Sequence, residues 1–303
     1  MRADQGLLGT GDEPRLYYHI KGDGSDVVVM PAASWVDADF DDLLNGRTFI
    51  FYDGRGRGGS DPVTDPSQVQ PGYEEQDLER VRAHFGLQRF SLIGWSSNGG
   101  TVAVYATQHP QYVERLVLMC PVAPYGEAGF RYRNPPESQE KADSRMDPSA
   151  VQGLEELRTA GMPDTDPARY CRESLKVYLP RQMGNPTALA GMKSDPCRFP
   201  NEWTPSVISF IRHHPLPEAW DWRPQLANLR VPTLVVHGME DLVLLETSQQ
   251  WTAALPEARL LTIEGSGHYS HLEAPEVFFP ALDSFLRGEW PQAVQPVKQA
   301  EQN

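Results

Sequence analysis

Residues 90–106 read PheSerLeuIleGlyTrpSerSerAsnGlyGlyThrValAlaValTyrAla, an apolar run that passes through small polar residues straight into a helical pattern. Phe90–Ile93 reads as a buried strand and Gly100–Gln108 as a helix. So short a connection crowds the backbone, needs small neighbours, and lifts one side chain above the sheet. In Gly94-Trp95-Ser96-Ser97-Asn98 that side chain is Ser96. Asn98 stands where a second glycine is usual, and Asn tolerates positive φ better than most residues. Ser97 is the rival, because Ser97-Asn98-Gly99 restores the trailing glycine, but that register puts Trp95 in the leading small position. Taken alone, Ser-Ser-Asn-Gly-Gly would also suit a plain turn or helix cap.

Outward from this turn, strand and helix signals alternate. Upstream lie apolar runs at 15–20, 26–30 and 48–53 and a helical stretch from Tyr73 to Phe85; downstream comes a strand at Arg115–Met119. The rhythm breaks between Pro121 and about Arg223, in a proline-rich segment with helical fragments at 155–158 and 170–178. It resumes with ThrLeuValVal at 233–236, a helix Thr247–Ala254, a strand at 259–263 and a closing helix Pro275–Leu286. Short apolar runs separated by helices predict an α/β fold with a mostly parallel central sheet covered on both faces. The expected division is core at 1–123, a mainly helical cap inserted at 124–223, core again at 224–288, and a mobile tail at 289–303 that is rich in Gln and Pro.

A serine hydroxyl is a poor nucleophile at neutral pH, so it needs a base, and the base needs an orienting carboxylate. Both candidates follow strands, at the sheet edge where α/β sites form. His237-Gly238-Met239-Glu240-Asp241 follows the first, with Asp241 as the acid and neighbouring Glu240 as the alternative. Glu264-Gly265-Ser266-Gly267-His268 follows the second, with glycines that free the loop to present His268 as general base. His271 reads as structural, and His213 and His214 follow no strand end.

Composition fits this reading. The chain has 303 residues, of which 40% are hydrophobic and 10% aromatic, enough for a large core. Its 27 basic and 41 acidic residues give a formal charge of −14, which argues against nucleic-acid and anionic-membrane partners. No run approaches the ~18 apolar residues of a membrane span. The three cysteines, Cys120, Cys171 and Cys197, are odd in number and far apart, with neither a CxxC pair nor His at metal-ligand spacing, so reduced thiols and a cytoplasmic setting are expected.

The order Ser96, Asp241, His268, each on a turn after a strand, resembles the α/β-hydrolase family in its proline iminopeptidase and esterase branch. LeuIleGlyTrpSer through TyrAlaThrGlnHisPro, ValProThrLeuValValHisGly-x-x-Asp and GlySerGlyHis-x-x-HisLeuGluAlaProGluValPhe carry the likeness across nearly the whole chain. TyrAspGlyArgGlyArgGlyGlySerAsp at 52–61 is similar to the family's Arg-anchored structural turn. The resemblance implies a Ser-His-Asp hydrolase of a small-molecule substrate, with no cofactor and no metal, as monomer or homodimer. It also implies an oxyanion hole from the Ala33 and Ser97 amides, since Met30-Pro31-Ala32-Ala33-Ser34-Trp35 stands where members usually carry His-Gly. Trp95, Ser34, Trp35 and Tyr125 are the candidate substrate contacts, with further aromatic residues at Phe130, Tyr132, Trp203, Phe210, Trp220 and Trp222 in the insertion. A ligand-binding protein on the same scaffold and a carbon–carbon hydrolase or lyase with the same triad are the alternatives. The His-Gly-Gly-Pro-Gly and Gly-Gly-Ser-Trp-Gly signatures usual in proline iminopeptidases are absent, and a serine at the elbow excludes the Asp-nucleophile dehalogenases and epoxide hydrolases.

Overall fold

A computed structural model describes residues 4–9, 11, 13–63, 65, 68, 72–127, 136–199, 201, 219–292 and 295–296. The upstream strands are β1 (Gln5–Leu8), β2 (Leu16–Lys21), β3 (Asp26–Pro31), β4 (Arg47–Tyr52), β5 (Phe90–Trp95) and β6 (Val113–Met119). A two-stranded ribbon follows from β7 (Tyr125–Glu127) and β8 (Ala219–Asp221). The chain then returns to the sheet with β9 (Thr233–Gly238), β10 (Ala258–Ile263) and β11 (Gln295–Pro296). The main sheet has nine strands in the order β1-β2-β4-β3-β5-β6-β9-β10-β11, with the six from β4 to β10 parallel and antiparallel partners at both edges.

Alternation along each strand sends successive side chains to opposite faces. Val28, Met30, Phe49, Phe51, Ile93 and Trp95 join one buried cluster, while Val29, Ile50, Tyr52 and Leu92 join the other. The helices Tyr73–Phe85 and Ser97–Gln108 cover the second face through Leu78, Val81, Phe85, Val102 and Tyr105. The closing helix Pro275–Leu286 covers the first with Phe278, Leu282 and Phe285. Cap residues Cys171, Leu175 and Met183 belong to that same cluster.

Several expectations change. Cys171 and Cys197 form a disulfide with a Cα separation of 5.7 Å, leaving buried Cys120 as the free thiol among the described residues. Spacing along the chain could not show this, because the helix Pro167–Tyr178 packs against the turn Pro196–Arg198 and closes a gap of 26 residues. In the tail, Gln295–Pro296 pairs with Arg259–Leu260 as an edge strand instead of standing free. Phe130, Tyr132, Trp203, Phe210, His213 and His214 lie outside the described residues. No helix among the described residues is long and apolar enough to cross a membrane.

Candidate active site

Ser96 closes β5 with φ 57° and ψ −123°, and its amide donates to the Met119 carbonyl at 2.9 Å. A positive φ on a non-glycine residue is strained and persists only where its surroundings enforce it. The enforcement is steric. A Cβ on Gly94 would lie 2.4 Å from Val102 Cγ2 and 2.6 Å from the Asn98 carbonyl, and one on Gly99 would lie 2.9 Å from Pro121 Cβ. Asn98 sits inside the helix Ser97–Gln108 and has no positive φ, so tolerance of that conformation is not why it is accepted there. Ser97 is the first residue of that helix.

The non-glycine residues with positive φ among those described are Ala32 at 72°, Ser96 at 57° and Cys120 at 44°. Ala32 is left-handed and is followed by the short helix Ala33–Val36. Ala33 and Ser97 therefore each follow a strained residue and open a helix, where the first amides have no intrahelical acceptor. Behind Ala33, buried Ser34 donates both its amide and its hydroxyl to Asp53 Oδ1, at 3.0 and 3.1 Å. Ser34, expected as a substrate contact, is turned toward Asp53 and is not among the residues lining the cavity described below. Asp39 adds a second brace by accepting from the Lys193 amide at 2.7 Å.

His268 Nδ1 lies 2.8 Å from Asp241 Oδ2, and Asp241 Oδ1 accepts from the Val243 amide at 2.9 Å. Burial opposes ionisation of the Asp241 carboxyl, but the charge and hydrogen bond of His268 hold it below the usual carboxylate range. Glu240 points elsewhere, paired to Arg145 at 2.9 Å and to Lys141 at 2.6 Å. His271 packs against Phe40, Trp95 and Phe278, and its Nδ1 is buried without a partner. Burial, with the charge of His268, pushes His271 down to about 3.

The histidine loop is clamped by the cap. The His268 amide donates to the Gln182 carbonyl at 2.8 Å. Glu273 accepts from the amides of Gly267 at 2.9 Å, Tyr269 at 3.3 Å and Asn185 at 2.8 Å, joining the loop to the cap through one carboxylate. A Cβ on Gly267 would meet the Gln182 carbonyl at 2.3 Å, and one on Gly238 the Gly267 carbonyl at 2.1 Å, so three backbone layers stack with no room for side chains. Neither Glu273 nor Gln182 was singled out in the sequence. Glu273 lies within the quoted HisLeuGluAlaPro stretch, whereas Gln182 carries no local signal.

Ser96, Ser97 and His268 line one cavity together with Trp35, Trp95, Asn98, Gln182, Tyr269 and Ala32. No hydrogen bond joins Ser96 to His268 in this geometry. Trp95 is largely committed to structure, since its Nε1 donates to the His268 carbonyl at 3.0 Å and its ring lies 4.9 Å from Tyr269. Tyr125 is outside this cavity and carries the Arg223 guanidinium 3.6 Å above its ring. Cys120, Asp241 and His268 bring S, O and N donors within 4.8 Å of one another, and they are the set among the described residues that could hold a metal ion.

A serine on a strained strand-to-helix turn, with a histidine–aspartate pair presented by later strands of a mostly parallel sheet, defines an α/β hydrolase. Residues 30–275 match the family described as alpha/beta hydrolase fold, and the chain belongs to that family. It is 24% identical over 280 residues to a proline iminopeptidase of Saccharolobus solfataricus, covering 89% of this chain and 87% of that protein. A proline iminopeptidase of Heyndrickxia coagulans is 22% identical over 253 residues, covering 80% and 83% of the two chains. Among solved structures, an esterase from Exiguobacterium antarcticum has a TM-score of 0.65 at 21% identity, covering 93% of this chain and 98% of that one. The family and these relatives support hydrolase activity.

Proposed function

We propose that the protein is a serine hydrolase that cleaves an ester or amide bond of a small molecule through an acyl-enzyme. The observation that carries the reading is the convergence of Ser96 and His268 on one cavity, with Asp241 holding His268 Nδ1 at 2.8 Å. His268 Nε2 takes the Ser96 proton as Oγ attacks the carbonyl carbon, then returns it to the leaving group. Asp241 fixes the tautomer with Nε2 free and stabilises the imidazolium. The Ala33 and Ser97 amides hold the oxyanion, each such donor contributing about 3 kcal/mol. Water, deprotonated by His268, then releases the acyl group.

The test is labelling by a fluorophosphonate probe, followed by turnover of p-nitrophenyl esters beside aminoacyl-arylamides. Label is expected on Ser96 and absent from a folded Ser96→Ala variant. Label on Ser97, or unlabelled protein with no turnover of any acyl substrate, would sink the reading. The second outcome would favour a ligand-binding role.

A further inference from the structure

Cys120 is the buried nucleophilic group that the proposed chemistry leaves unused. It ends β6, 2% exposed, with its amide on the Val236 carbonyl at 2.8 Å and its Sγ 3.9 Å from the Gly267 carbonyl. The Gly267 contact is long, and another of the sulfur's partners is the Asp241 side chain. On its other side stands the Asp241–His268 pair, and the Cys120 Sγ, an Asp241 oxygen and a His268 ring nitrogen all lie within 4.8 Å of one another. The carboxylate and imidazole side chains are 1% and 7% exposed.

We propose that Cys120, Asp241 and His268 form an inhibitory site for a thiophilic divalent cation, of the class of Zn²⁺ or Cd²⁺. A thiolate, an imidazole and a carboxylate are the donors such ions select, and a fourth position remains for water. Tetrahedral zinc with bonds of about 2.0–2.3 Å needs donors about 3.5 Å apart. The Asp241 and His268 donors, 2.8 Å apart, must open to reach that spacing, whereas Cys120 Sγ already lies within 4.8 Å of both. Charge also favours the ion. The site carries a buried carboxylate opposite a neutral thiol, and binding M²⁺ with loss of the thiol proton leaves the group of donors and ion neutral.

The balance is one cation in and one proton out. The Cys120 S–H bond and the His268–Asp241 hydrogen bond break, Sγ–M, Nδ1–M and Asp241 O–M bonds form, and the Nδ1 proton of neutral His268 moves to Nε2. A ring protonated on Nε2 cannot accept the Ser96 proton, so the ion holds the base in the unproductive tautomer. His268 lines the cavity whereas Cys120 is buried and outside its lining, so side chains must move for the ion to enter, and onset should be slow. Inhibition rests on the hydrolase reading above; binding does not.

The experiment titrates Co²⁺ and Cd²⁺ into the intact protein while recording thiolate-to-metal absorption, and in parallel measures ester turnover after incubation with Zn²⁺. Wild type is expected to show one thiolate band and progressive loss of turnover. Cys120→Ala should keep its basal turnover, lose the band and raise the Zn²⁺ inhibition constant about tenfold or more. Ser96→Ala should keep the band. Absence of the band in wild type, or equal Zn²⁺ inhibition of wild type and Cys120→Ala, overturns the site. If Cys120→Ala does not fold, the same comparison is made with Cys120→Ser, whose harder oxygen should abolish the band. A band in a protein that turns over no ester would keep the site and break the hydrolase reading, whereas a band without inhibition in a turning-over enzyme would overturn the inhibitory role.

Discussion

The two halves of the site are held in different ways. The elbow is held locally, with the positive φ of Ser96 enforced by neighbours close in sequence or in the adjoining strand, while the Ala33 turn is braced by Asp53 and, through Asp39, by Lys193. The acid and histidine loops have ordinary local conformations and are held by remote contacts, namely Gln182 and Asn185 from the cap and the Arg145 and Lys141 pairs to Glu240. Local packing fixes Ser96 whatever the cap does. A remote clamp makes the position of the base depend on the cap.

The largest effect should come from the base side. Asp241→Asn preserves shape but favours the wrong imidazole tautomer, and kcat should fall about 10⁴-fold with the fold intact. A drop of less than about tenfold would mean that His268 is oriented by something other than this carboxylate.

Glu273→Gln tests the clamp itself. Losing the charge-assisted acceptor shared by Gly267, Tyr269 and Asn185 should lower kcat about tenfold with KM little changed, since the carboxylate is outside the cavity lining. An unchanged kcat would show that the Gln182 contact and the stacked glycines suffice.

Acid sensitivity separates the two sides again. His271 has a folded value of about 3 against 6.5 for the free side chain, because burial disfavours its charged form. The folded state thus binds fewer protons than the unfolded one between those values. The stability this gives is complete above pH 6.5 and is lost as pH falls from 6.5 toward 3. His271→Phe should lose less stability on acidification in denaturant titrations across that window. Equal slopes for the two proteins would remove His271 as a cause.

The smallest effect belongs to the strained turn. Ala32→Gly should gain about 1 kcal/mol by relieving the left-handed Cβ contact, less the unfolded-state entropy that glycine adds, and turnover should stay within a few-fold. A large loss of turnover would show that the Ala33 amide depends on the stiffness of Ala32.

Much of the fold was legible because burial on both faces of a parallel sheet writes short apolar runs into the chain. The helices Tyr73–Phe85 and Pro275–Leu286 have the limits read from their periodicity. The edge strands were not legible. Gln5–Leu8 and Gln295–Pro296 are only four and two residues long, and they exist because a neighbour offers its edge. The contacts of Ser34 with Asp53 and of Tyr125 with Arg223 were not legible either, since they join residues well apart along the chain.

By itself the sequence determined the family, the strand-helix alternation, and the turns carrying Ser96, Asp241 and His268, because local sterics and hydrophobic periodicity act between near neighbours. Only the tertiary structure decided the rest. The Cys171–Cys197 disulfide joins residues 26 positions apart, the Glu273–Asn185 clamp residues 88 apart, and Cys120 approaches Asp241 and His268 from still farther along the chain, all in ways that depend on how the cap and strands pack. Spacing along a chain carries no record of such approaches, since the packing of many side chains sets them together.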